Sequence, residues 1–153
     1  MNTRKLSRYL SRWCKEHGFD VSVRYDTEFA FWLNKNVVTY SFLVSDFHDK
    51  TFQKVFIKQG LEYNCDIFIL SFFHELGHYE TEDEWTEKQF ERFMKQKDEL
   101  DANKKADLWK YYYMPDEIRA TQWATDYINE NADEIEKFWN RVKPLILEVY
   151  DEI

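Results

Sequence analysis

The sequence predicts an α+β protein, with a small antiparallel sheet of about three strands packed with a mainly helical body. Three observations carry that expectation. Apolar residues recur at helical spacing along most of the chain and alternate only within residues 21–44. Glycine and proline are scarce, 3 and 2 in 153 residues, which leaves little room for long irregular segments. Aromatic residues reach 19% of the chain and supply the apolar volume that the aliphatic content lacks. The length suits one domain, 1–153, and no repeat, linker or low-complexity run divides it.

The elements follow in order. Leu6, Tyr9, Leu10, Trp13, Cys14 and His17 mark a first amphipathic helix over residues 3–17, with Gly18 as its stop. Val21, Val23 and Tyr25 alternate with Ser22 and Arg24 as a strand, and Asp26-Thr27 reads as a turn. Phe29 to Leu33 gives a second strand, Asn34-Lys35-Asn36 a second turn, and Val37 to Val44 a third strand. Short connections predict an antiparallel meander. Ser45 or Asp46 can cap a helix that carries Phe52, Val55 and Phe56 and stops at Gly60.

Residues 65–79 form a helix that is apolar almost all round, the mark of a buried one. Thr81-Glu82-Asp83-Glu84 matches a capping box for a helix bearing Trp85, Phe90, Phe93 and Met94. The charges of residues 80–107 read as a solvated face. Leu108, Trp109, Tyr111 and Tyr112 belong to a further helical segment, residues 100–113. Pro115 sits in the first turn of the next helix, which continues through Trp123 and Ile128. Asn131 onward starts a last helix with the stripe Ile135, Phe138, Trp139 and Val142, which Pro144 is expected to kink or break.

Charge and cysteine usage narrow the class. The net charge is −8 and the sequence pI about 5.0, which opposes a direct nucleic-acid groove with its basic stripe. Cys14 and Cys65 stand far apart, in no metal or redox pair, and fit a reducing compartment. The N-terminus has no apolar signal-like core, and the longest apolar stretch, 67–73, is too short to span a membrane. A cytoplasmic protein is the resulting expectation.

Chemistry concentrates in Phe72-Phe73-His74-Glu75-Leu76-Gly77-His78-Tyr79. His-Glu-x-x-His on a helix puts His74 and His78 on one face, where both imidazoles can reach one metal ion. Glu75 lies beside them, within reach of a water on that metal, as in the zincin metallopeptidases. Two histidines and a glutamate on a buried helix need partners, and one metal satisfies all three. Gly77 leaves space for another backbone or a third ligand to approach. Catalytic zinc has three protein ligands and an open position. Thr81 and Glu84 stand where metzincins need glycine and histidine, the inverted order is absent, and no histidine follows His78. A downstream carboxylate is left.

At this point the chain resembles the ImmA/IrrE-type metallopeptidases, within the gluzincins. The helix Phe68-Ile69-Leu70-Ser71-Phe72-Phe73-His74-Glu75-Leu76-Gly77-His78-Tyr79 looks like their active-site helix. Glu117, Ala120, Trp123 and Ala124 match the Glu-x-x-Ala and aromatic-Ala pattern of the helix that follows it. The resemblance covers about a fifth of the chain. It implies Glu117 as third ligand, with Asp116 the nearest rival. It also implies that Thr121, where the family tends to carry Asn or Asp, orients the first histidine. The segment between His78 and Glu117 is longer than the family's.

The function this predicts is zinc-dependent hydrolysis of peptide bonds. Zn2+ is held by His74, His78 and Glu117, and Glu75 is the general base. Tyr111, Tyr112, Tyr113 and His48 are the candidate oxyanion donors. An edge of the sheet is a candidate for holding an extended substrate. By resemblance the substrate is a protein or peptide, such as a DNA-binding repressor. The competing expectation is a zincin-fold binding protein that grips a partner with little or no proteolysis. A closed structural zinc site is disfavoured, because no cysteine lies at ligand spacing from His74 or His78.

Overall fold

The computed structural model of the chain describes residues 1–33, 35–42 and 46–151. Asn34 of the second turn, the end of the third strand run and the cap candidate Ser45 lie outside the described residues, as does the side chain of Asp46. The fold is α+β, with seven α-helices and one three-stranded sheet among the described residues. None of these helices is long and apolar enough to cross a membrane. The chain packs as two compact units, one of residues Met1–Leu43 with Glu130–Ile153, the other of residues Val44–Asn129.

The first unit holds helix α1 (Arg4–Glu16), strands β1 (Ser22–Tyr25), β2 (Ala30–Trp32) and β3 (Val37–Tyr40), and the last helix. Leu6, Leu10, Trp13 and Cys14 form the buried face of α1. Gly18, at φ 86°, ends it in a Schellman motif: Phe19 N–H reaches Cys14 O at 2.8 Å and Gly18 N–H reaches Lys15 O at 3.3 Å. The Phe19 ring then lies 6.1 Å from Trp13, the apolar contact that accompanies this cap.

The sheet corrects the meander. Its order is β1-β3-β2, with β1 parallel and β2 antiparallel to β3. The β2–β3 hairpin forms as expected, and Asn36 takes the left-handed turn position at φ 47°. β1 does not fold back on β2. Instead the chain passes the end of β3, with Asp26 N–H on Tyr40 O at 2.9 Å, and returns along its far side. The reason is burial. Val37, Val38, Thr39 and Tyr40 are all buried, and a strand buried on both faces belongs in the centre of a sheet. The outer edge of β1 is closed by Ser11 of α1, whose hydroxyl accepts from Val23 N–H at 2.8 Å and donates to Val23 O at 3.3 Å. The last helix (Ala132–Asp151) buries Ile135, Phe138, Val142 and Val149, and Phe138 meets Trp13 edge-on at 4.9 Å. Pro144 neither breaks nor ends it. Buried positions on both sides of the proline keep the helix running, and the donor it lacks faces Asn140, an exposed residue.

The second unit is helical: α2 (Asp46–Lys58), α3 (Ile67–Thr81), α4 (Glu87–Asp98), α5 (Lys105–Tyr112) and α6 (Pro115–Glu130, all but its last residue), which makes the last helix α7. Asp66 caps α3 by accepting from Phe68 N–H at 2.9 Å. The helix runs past Tyr79 because Thr81 does not cap the next one. Its hydroxyl donates back to Gly77 O at 2.7 Å, and a 3-10 turn, Glu82–Glu84, follows. The capping box of α4 is Thr86 with Gln89, a pair of the same spacing five residues on.

Candidate metal centre

The site is built by α3 and α6 within the second unit. Gly77 makes their approach possible. A Cβ there would stand 2.5 Å from the carbonyl oxygen of Ala120, so the bare backbone of α3 lies directly against that of α6. About one turn before this contact stand His74 on α3 and Glu117 on α6, and directly after it His78 and Thr121.

The two imidazoles converge on a single oxygen. His74 Nε2 lies 3.0 Å and His78 Nε2 2.8 Å from Glu117 Oε2. The other nitrogen of His74, Nδ1, is 3.1 Å from Thr121 Oγ1, itself fully buried. That hydroxyl can donate to Nδ1 or accept from it, and either way it holds the ring with Nε2 toward Glu117, where Nε2 donates to Oε2 in the metal-free protein. The Phe52 ring meets His74 edge-on at 5.1 Å and fixes its plane. The ligand atoms of His74, Glu75 and His78 lie within 4.8 Å of one another. The donor set fits a metal. Zinc bonds of about 2.0–2.1 Å in a tetrahedron hold ligand atoms about 3.3 Å apart, so the two distances from the imidazoles to Glu117 Oε2 need open only by a few tenths of an ångström. Two imidazoles and one carboxylate are the donor chemistry of catalytic zinc, with a position left open.

Without a metal, the same groups neutralise one another. Burial pushes the Glu117 carboxyl up, but the charge of His78 and hydrogen bonds from both imidazoles outweigh it and hold it well below the usual carboxylate range. Burial lowers His78, yet Glu117 beside it prevails and raises it to about 9. Glu75 is raised, chiefly by burial, with the two imidazoles pulling against that shift. A raised carboxyl beside a metal site has the poise of a proton-transfer group.

The oxyanion candidates separate. Tyr111 is tied to the centre: the charge of Glu117, followed by burial, raises the pKa of its phenol, and its ring lies under the Lys97 ammonium. Tyr112 packs at 5.1 Å on Phe52, and burial followed by the Glu117 charge raises its pKa. Tyr113 is 42% exposed and tilts against Trp109. His48 Nε2 donates to Ala102 O at 2.9 Å. Neither Tyr113 nor His48 shares a hydrogen bond or ring contact with the histidines or Glu117. Asp116 turns away from the imidazoles to Lys97, Oδ2 to Nζ 2.6 Å.

Lys97 is the residue that sequence reasoning missed. It lay within the stretch read as a solvated face, yet its side chain is only 9% exposed and its Nζ also reaches Glu117 Oε1 at 3.1 Å. One signal was present: Lys97 is four residues after Phe93, the buried position of α4, and shares its face. Comparison of the chain with protein-family models, curated proteins and solved structures gives no match.

Proposed function

We propose that this chain is a zinc-dependent metallopeptidase. The observation that carries the reading is the convergence of His74 Nε2 and His78 Nε2 on Glu117 Oε2, with Glu75 alongside. His74, His78 and Glu117 would hold a zinc ion, which would supply a Lewis acid and lower the pKa of a bound water toward about 7. Glu75 takes the proton of the attacking water and hands it to the leaving amine. Its raised pKa favours the first of these transfers, the uptake of the proton. Tyr111, the phenol that feels the Glu117 charge first, is the donor best placed to steady a developing oxyanion. Thr121 orients the His74 ring. The proposed substrate is a regulatory protein such as a DNA-binding repressor, which rests on the resemblance of α3 and α6 to the ImmA/IrrE group. A cytoplasmic location fits two free cysteines, Cys14 and Cys65, with burial pushing the Cys14 thiol up to about 12.

Metal analysis of the purified protein tests the centre. One zinc per chain is expected, lost in Glu117→Ala. Glu75→Gln should keep the zinc and lose cleavage of candidate regulators. A wild-type chain that takes up no zinc, or a Glu75→Gln variant that cleaves at the wild-type rate, sinks the proposal.

One observation favours a binding protein of the same fold. Both oxygens of Glu117 are satisfied by protein groups alone, Oε2 by the imidazoles and Oε1 by Lys97, so the centre needs no metal to hold its shape. Partner binding that survives both chelation and Glu75→Gln would select that reading.

A further inference from the structure

We infer that Lys97 is a positioning residue, which holds Oε1 of Glu117 so that only Oε2 is presented to the metal. The inference rests on the zinc-centre reading above and adds to it a residue outside the His-Glu-x-x-His and Glu-x-x-Ala patterns.

A glutamate can offer a metal one oxygen or two, and its rotation about the last bond is soft unless something blocks it. Here both sides are fixed. Oε2 faces the two imidazoles, and Oε1 takes the Lys97 ammonium at 3.1 Å. Lys97 is fixed in turn. Asp116 Oδ2 accepts from it at 2.6 Å, and the Tyr111 ring lies 5.4 Å beneath it. The chain of support therefore runs Asp116, Lys97, Glu117, imidazoles, through a side chain that is 9% exposed.

A plain structural ion pair accounts for this poorly. Asp116 alone would suffice as partner for Lys97, and a buried pair is seldom more stabilising than apolar packing. Asp116 also leaves its Oδ1 buried without a partner, a penalty that a purely stabilising device would avoid. The arrangement makes sense if the ammonium must stand where it does. It also balances charge: a divalent ion with Lys97 offsets Asp116, Glu117 and an ionised Glu75.

The test uses Lys97→Met and the double variant Lys97→Met/Asp116→Asn. The single change strands Asp116 and can compromise folding. The double change removes one positive and one negative charge together, so it leaves the local net charge intact and isolates positioning from attraction. Each protein is loaded with Co2+, whose visible bands are intense in four-coordinate sites and weaken as a fifth ligand atom joins, and circular dichroism checks the fold. The wild type is expected to show the intense spectrum. The folded double variant is expected to show weaker bands as Glu117 swings to offer both oxygens, and a Zn2+ affinity about 10–100-fold lower by chelator competition. A double variant with the wild-type Co2+ spectrum overturns the inference, whatever its affinity. A wild-type protein that binds no Co2+ or Zn2+ overturns the metal centre itself, a different result from a metal centre indifferent to Lys97.

Discussion

His78 is where proton and metal compete. Its pKa is raised from 6.5 to about 9 because Glu117 stabilises the imidazolium more than burial opposes it. In the metal-free protein that ion pair stabilises the fold fully below about pH 6.5, and the contribution is lost as pH climbs through about 9. Melting temperature measured in chelator should fall over that interval, and His78→Gln should flatten the fall. With zinc the slope should change sign, since loading releases the proton and tightens with pH. At the acid end Glu117, whose pKa is depressed, stabilises the fold above its unfolded pKa and loses that effect as pH drops through its folded value. His74, Glu75 and His78 were legible in the sequence because four-residue spacing on one helix fixes their relation without knowledge of the rest. Glu117 lies on another helix, and only the resemblance singled it out among many carboxylates. Lys97 left one faint signal, its four-residue spacing from the buried Phe93; otherwise a lone buried ammonium looks like its solvated neighbours until its partners on α6 are known.

Between elements, the decisive contact is Gly77 against Ala120. Gly77→Ala favours helix by up to about 1 kcal/mol, but its methyl must displace the α6 backbone, an overpacking worth about 1–3 kcal/mol. The net effect should be destabilisation of about 1–2 kcal/mol in urea, with weaker zinc binding because the displaced helix carries Glu117. Thr86→Ala removes a capping box far from the metal and should lower stability by about 1 kcal/mol at unchanged zinc affinity. Thr81-x-x-Glu84 and Thr86-x-x-Gln89 fit the same capping pattern; the sequence reading took the first, and the structure uses the second. The choice was made by the Thr81 hydroxyl, already spent inside α3 on Gly77 O. Strand order was hidden for a similar reason. Alternation marks strands locally, whereas the central place of β3 comes from burial on both faces.

At the scale of the molecule, zinc should act as a stabilising ligand of the helical unit. Free zinc at a hundred times its dissociation constant should add about 2.7 kcal/mol, measured as a rise in melting temperature that Glu117→Ala abolishes. The connectivity of the two units has a further consequence, one of timing. Every residue of the metal centre lies in one unbroken stretch, 44–129, whereas the unit with the sheet is assembled from both ends of the chain. Domains close as their last segment leaves the ribosome. The helical unit therefore has its whole sequence, His74, His78 and Glu117 included, while α1 still lacks the Phe138 that covers Trp13. On a translating ribosome the helical unit, with its candidate metal site, should form first, and the nascent sheet should wait for the C-terminal helix.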